Sequence, residues 1–303
     1  MKWAIGIGIV LLLGFGFFTE ELYRYVFCRK TSKLFCRLFD SKGHEDAYYA
    51  WRDAGAELLK SLPCETLTMQ SDRGEALKGY YYPQGTAGKV IAVIVHGYRS
   101  DHVDTGALCC RYYQSRGIDM FLCDHTASGD SEGEFIGFDV FETEDCLKWL
   151  QVLRQRFGAD TQFILHGFSM GAATVMRMSS RCPENVKFIV EDSGYRNADS
   201  AMRHQVLFMY EPLRFLNKLI GGYDWNDSDV TESLGRSKIP MLFVHGTEDK
   251  LVPAENGPWL YDFYPGEKDC FFPGNTRHRE SMYTSEGPYG EKLDSFLKKY
   301  IKA

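Results

Sequence analysis

The pentapeptide Gly167-Phe168-Ser169-Met170-Gly171 lies between an apolar run, QFILH, and a helix-compatible one, AATVMRM. This junction constrains the fold more than any other feature. A serine placed there must occupy a sharp strand-to-helix turn that forces its backbone into a strained conformation. The flanking glycines are needed because side chains at those positions would collide with the neighbouring strand and helix. From Cys64 onward the chain alternates strand and helix patterns. ETLTMQ and GEALKGYYYPQ suggest a starting antiparallel hairpin turned at Ser71-Asp72-Arg73-Gly74. KVIAVIVHG reads as a buried strand, and DMFLCD, QFILHG, KFIVED, PMLFVHG and DCFFPG read as further strands. Helical patterns fall at 105–116, at 140–157, after Ser169 to about 181, near 258–263, and from Leu293 to the end. Such alternation predicts an α/β fold with a mostly parallel central sheet flanked by helices. Residues 196–238 break the rhythm with Met202, Leu207, Phe208, Met209, Leu213 and Phe215, and are expected to form a small helical lid insertion.

Of the 303 residues, 44% are apolar and 25% are charged, so a large core can be built. The formal charge is −6 and no Lys/Arg block appears, which argues against a nucleic-acid partner. The nine cysteines cannot all pair, and no CxxC or Cys/His spacing suggests a zinc site. Free thiols point to a reducing compartment or an anaerobic source.

Residues 3–18 read WAIGIGIVLLLGFGFF, without a charge. Three readings compete: an uncleaved anchor, a cleaved signal peptide and a buried helix. The Gly14/Gly16 pair makes a poor cleavage site, and no polar positions recur at helical spacing. Hydropathy therefore favours residues 1–30 as a single-pass membrane anchor, although spanning normally takes about 20 residues. Arg24, Arg29, Lys30, Lys33 and Arg37 follow the segment and Lys2 precedes it. The positive-inside count keeps the downstream side in the cytoplasm, whereas the Met-Lys start suggests the opposite, and the side of the membrane stays open. Residues 31–63 form a lead-in with a helix over 45–62, and 64–303 form the main domain. That domain is expected to stand without residues 1–30.

With these motifs in place, the chain resembles the α/β-hydrolase superfamily from about residue 64 to the end. His96-Gly97-Tyr98 closes the strand where that family places its second oxyanion-hole amide. The stretch from Asp124 to Gly133, DHTASGDSEG, is similar to the family's D-x-R-x-H-G-x-S-x-G, with Thr126 and Ser128 replacing Arg and His. HGTEDKLVP, residues 245–253, fits H-G-x-x-D-x-x-V-P, the segment that carries the family's catalytic acid. The resemblance implies Ser169 as nucleophile and Asp249 as the acid. The family order of serine, acid, histidine leaves His278 as the base, since it alone of the eight histidines lies beyond Asp249. Glu248 and Asp192 are the competing acids. The backbone N–H groups of Tyr98 and Met170 would form the oxyanion hole. His96, His166 and His245 precede glycine at strand ends and read as structural. The implied activity is hydrolysis of a small-molecule acyl ester with no metal or organic cofactor. A peptidase and a non-catalytic binding protein on the same scaffold are the alternatives.

Overall fold

The computed structural model describes residues 2–31 and 44–302, with side chains of the first helix described from Leu13 onward. Eight strands form one sheet in the order β1-β2-β4-β3-β5-β6-β7-β8. The hairpin of β1 (Glu65–Gln70) and β2 (Ala76–Tyr82) pairs antiparallel, and β2 pairs antiparallel with β4 (Asp119–Cys123). All other neighbours run parallel, through β3 (Val90–Val95), β5 (Gln162–Phe168), β6 (Val186–Asp192), β7 (Met241–Val244) and β8 (Lys268–Phe271). The hairpin turn is the expected one: the Gly74 amide bonds the Ser71 carbonyl, and Gly74 takes a positive φ of 92° that suits glycine.

Alternation along the central strands divides the apolar side chains between two cores. In β3, Ile91, Val93 and Val95 face one, and Val90, Ala92 and Ile94 face the other. The second core is covered by α2 (Asp46–Ser61), α3 (His102–Ser115) and α11 (Glu286–Tyr300). The first is covered by α4 (Val140–Phe157), α5 (Met170–Met178) and α9 (Asn256–Phe263). Residues 196–238 fold as α6 (Ala198–Val206), α7 (Tyr210–Ile220) and α8 (Thr231–Arg236), joined by short 3-10 turns. The short α10 (Ser281–Thr284) follows the His278 loop. Within the insertion, Leu213 is fully buried in the first core, while Leu207, Phe208 and Phe215 are exposed.

The N-terminal expectation is overturned. Among the described residues, no helix is long and apolar enough to cross a membrane, so the single-pass anchor and the membrane partner both fall. The side chains of residues 2–12, on which much of that expectation rested, lie outside the described residues. The helix α1 (Lys2–Phe27) carries Glu20, Glu21 and Arg24 in its second half and buries Leu22, Tyr23, Val26 and Phe27 in the first core. The Phe27 ring meets Trp225 at 4.8 Å and Phe138 at 5.5 Å, both edge-on. Its C-terminal carbonyls are then gripped from the main domain. The Tyr98 hydroxyl donates to the Tyr25 and Val26 carbonyls at 3.0 and 2.9 Å, and Arg99 donates to the carbonyls of Tyr25 and Cys28. A guanidinium at a helix C-terminus also complements the macrodipole.

This packing reverses the expectation that residues 1–30 can be removed without loss. Each fully buried large side chain contributes about 1.5–3 kcal/mol, and several together rival the ~5–15 kcal/mol that holds a whole domain folded. Deleting residues 1–30 should abolish a cooperative thermal transition. Phe27→Ala should cost about 3–5 kcal/mol in denaturant unfolding. A Phe27→Ala midpoint equal to that of the parent chain would refute the packing argument.

Candidate active site

The geometry of the pentapeptide explains its composition. Ser169 sits between β5 and α5 with φ 57° and ψ −119°, far from helix or strand values. Its amide is fixed by the Asp192 carbonyl at 2.8 Å. A Cβ on Gly171 would collide with the Val95 carbonyl, and one on Gly167 with the backbone of Gly171. Both glycines are therefore required by backbone approach. Met170 is the first residue of α5, so its N–H is among the helix amides that lack an intrahelical acceptor. Gly97 abuts the same serine, a Cβ there lying 3.1 Å from Ser169 Cβ, and Tyr98 follows it.

Three side chains from three loops converge. Ser169 Oγ lies 2.9 Å from His278 Nε2, and His278 Nδ1 lies 2.6 Å from Asp249 Oδ2. Asp249 Oδ1 accepts the amides of Leu251 and Val252, each at 2.9 Å. With both oxygens engaged, the carboxylate has a fixed orientation. The loops themselves are zipped together by backbone bonds: Thr247 N to the Pro273 carbonyl at 3.1 Å and Glu248 N to the Thr276 carbonyl at 2.8 Å. A Cβ on Gly246 would strike the Thr276 carbonyl, so the acid turn approaches the histidine loop as closely as backbone allows.

The three carboxylates weighed from sequence separate clearly. Burial tends to raise the Asp249 carboxyl, but the His278 and His245 imidazoles outweigh it and hold the group well below the usual carboxylate range. Asp192 is pushed up to about 6 by burial, and its Oδ1 accepts from the Ser193 hydroxyl rather than from His278. Glu248 is exposed and contributes its backbone. A carboxylate held ionised beside Nδ1 fixes the tautomer with a proton on Nδ1, leaving Nε2 as the lone-pair nitrogen facing Ser169. Ser169 and His278 keep 8% and 6% exposure, so a reacting group would reach them through a narrow opening.

The histidines read as structural divide. His96 accepts the His125 amide at 2.9 Å, and His166 bridges the Tyr113 and Tyr289 hydroxyls. His245 has a closer tie to the site, because its Nε2 lies 3.2 Å from Asp249 Oδ2 and 3.1 Å from the Val252 carbonyl. Its position four residues before Asp249 is the one sequence signal for that role. Other supporting groups gave no signal. Thr126 donates to Asp145 at 2.8 Å and accepts from Arg73 of the β1–β2 turn at 2.9 Å, so Arg73 enters the loop where the resembled family carries its own arginine. Ser193 Oγ accepts the Arg279 amide at 3.2 Å, tying the histidine loop to the end of β6.

Comparison with known proteins agrees with this architecture. Residues 86–221, which include Ser169, match the family Hydrolase_4, described as serine aminopeptidase, S33. The uncharacterized protein YqkD of Bacillus subtilis is 23% identical over 269 residues, covering 84% of this chain and 87% of YqkD. The lysophosphatidylserine lipase ABHD12 of Danio rerio is 27% identical over 161 residues, covering 49% of this chain and 40% of the lipase. Among solved structures, the Pyrococcus furiosus esterase Pf2001 superimposes with a TM-score of 0.65 at 17% identity, covering 80% of this chain and 94% of the esterase. The chain has the α/β-hydrolase fold, and these similarities support a hydrolase of serine-hydrolase-like type.

Proposed function

We propose that the protein is a serine esterase that cleaves carboxylic esters through an acyl-enzyme, with Ser169 as nucleophile, His278 as general base and Asp249 as the acid that orients the histidine. The observation that carries this reading is the continuous relay from Ser169 Oγ through His278 to Asp249, at 2.9 and 2.6 Å. As Oγ attacks the ester carbon, Nε2 takes its proton. The tetrahedral intermediate collapses when the imidazolium returns that proton to the leaving alkoxide, releasing the alcohol. Water then attacks the acyl-Ser169 ester by the same route in reverse, and the acid departs. The Met170 and Tyr98 amides would receive the oxyanion, each worth about 3 kcal/mol of barrier. Side chains and backbone supply every proton transfer and charge that this sequence of steps requires.

The esterase and lipase among the similar proteins support an ester substrate, while the description of the matched family supports a peptidase as the second reading. A fluorophosphonate probe followed by peptide mapping should find the adduct on Ser169. The same preparation should turn over p-nitrophenyl esters faster than aminoacyl-anilides. An unlabelled Ser169 in folded protein would refute catalysis by this site, and a preference for anilides would make the enzyme a peptidase.

The acyl chain is proposed to lie along the lid. His204 and Gln205 of α6 contact the Lys250 and Leu251 carbonyls beside Asp249, which brings exposed Leu207 and Phe208 to the same edge as exposed Leu251. Phe208→Asp should therefore lower kcat/KM for octanoate esters at least tenfold more than for acetate esters, about 1.4 kcal/mol of discrimination. Equal losses at both chain lengths would remove Phe208 from the acyl path.

A further inference from the structure

We propose that Cys123, His125 and Cys146 form a binding site for a thiophilic divalent cation of the zinc type. Cys123 ends β4, His125 follows two residues on, and Cys146 reaches the same point from α4. One sulfur from each cysteine and one ring nitrogen of His125 all lie within 4.8 Å of one another, and all three residues are buried. The separation of 23 residues between the cysteines, across a loop and a helix, is why no spacing in the sequence announced the cluster.

The histidine is held in the form that a ligand needs. Its backbone amide donates to His96 Nε2 at 2.9 Å, and its own Nε2 lies 3.2 Å from the His96 carbonyl. A carbonyl can only accept, so Nε2 carries the proton and Nδ1 has the free lone pair. That Nδ1 is buried and has no hydrogen-bond partner. An orphaned buried acceptor on the histidine of this cluster is costly as it stands. Coordination would satisfy it, with the His96 carbonyl as the outer partner that sets the tautomer, an arrangement common to metal-bound histidines.

Charge selects the cation. Binding releases two protons: two thiols, one neutral imidazole and M²⁺ give a neutral bis-thiolate–imidazole complex. A monovalent ion would leave a net negative charge in the core, which the low-dielectric interior disfavours. Hard cations such as Mg²⁺ and Ca²⁺ prefer oxygen donors.

The full-length chain would be produced in zinc-supplemented medium, and also refolded with Zn²⁺, because the ligands are buried. The expected content is one zinc per chain, with X-ray absorption showing about two sulfurs near 2.3 Å and a nitrogen near 2.0 Å. Cys123→Ser and Cys146→Ser should each weaken zinc affinity at least 100-fold in competition with a chromophoric chelator, while Cys182→Ser should leave it unchanged. Cd²⁺ should give a thiolate-to-metal absorption band in the parent chain that these two variants lose. Should a serine variant fail to fold, the absorption spectrum and sulfur count of the parent chain still decide. Less than stoichiometric zinc after both preparations would overturn the proposal. So would affinity that survives both cysteine substitutions, or a Cys123–Cys146 disulfide in protein never exposed to oxidant.

Discussion

Replacing Ser169 by alanine is expected to lower kcat on a p-nitrophenyl ester by about 10⁶-fold, the scale seen when a triad serine is removed from a protease. The expectation rests on the 2.9 Å contact between Oγ and His278 Nε2. Alanine leaves the imidazole with nothing to deprotonate except water. The fold should survive, because Ser169 is held by its amide bond to the Asp192 carbonyl, which alanine keeps, and the lost side-chain hydrogen bond is worth only about 1 kcal/mol. His278→Ala should cost nearly as much. The double variant should be no worse than either single one, since the two groups act as a unit and their losses do not add. Multiplying losses, or a Ser169→Ala enzyme within tenfold of the parent chain, would show that turnover does not pass through this serine.

What the sequence revealed, and what it hid, follows from the range of the interactions involved. The sheet was legible because the central parallel strands are buried on both faces and so become continuous apolar runs, as in VIAVIV of β3 and FILH of β5. The three converging side chains were legible because each is set by local backbone: the glycines around Ser169, the turn from His245 to Pro253, and a histidine late in the chain. Two helices start earlier than their sequence patterns suggest. The last helix begins at Glu286 rather than Leu293, and α9 at Asn256, with Gly287-Pro288 and Gly257-Pro258 inside their first turns. Proline is tolerated there because the first amides have no intrahelical acceptor to lose. Long-range packing was invisible. Nothing in residues 13–27 announces that Phe27 will meet Trp225, a residue about 200 positions away, and a window of hydropathy cannot distinguish an apolar face seated on protein from one seated in lipid. The insertion shows the same limit: Leu213 and Phe215 are two residues apart and equally apolar, yet the first is core and the second is exposed.

The choice among three carboxylates gives the second large effect. Asp249→Asn should lower kcat about 10⁴-fold, by analogy with the corresponding change in a serine protease. Asp249 Oδ1 accepts two backbone amides, so an asparagine keeps its carbonyl oxygen there and turns its NH₂ toward His278 Nδ1. A donor facing Nδ1 demands that this nitrogen be the acceptor, which moves the imidazole proton to Nε2 and aims it at Ser169 Oγ. The base is then blocked, although no atom has moved. Glu248→Gln should keep activity within roughly tenfold, about 1.4 kcal/mol, because the exposed side chain is absent from the relay and the backbone bond from Glu248 N to the Thr276 carbonyl survives. Asp192→Asn should do the same, since its Oδ1 accepts from Ser193 and its raised pKa, about 6, already leaves it partly neutral near pH 6. Its backbone carbonyl, which holds the Ser169 amide, is untouched by the substitution. Circular dichroism on all three variants separates lost chemistry from lost fold. A folded Asp192→Asn enzyme with 10⁴-fold lower kcat, beside an active Asp249→Asn, would move the acid to β6 and overturn the assignment.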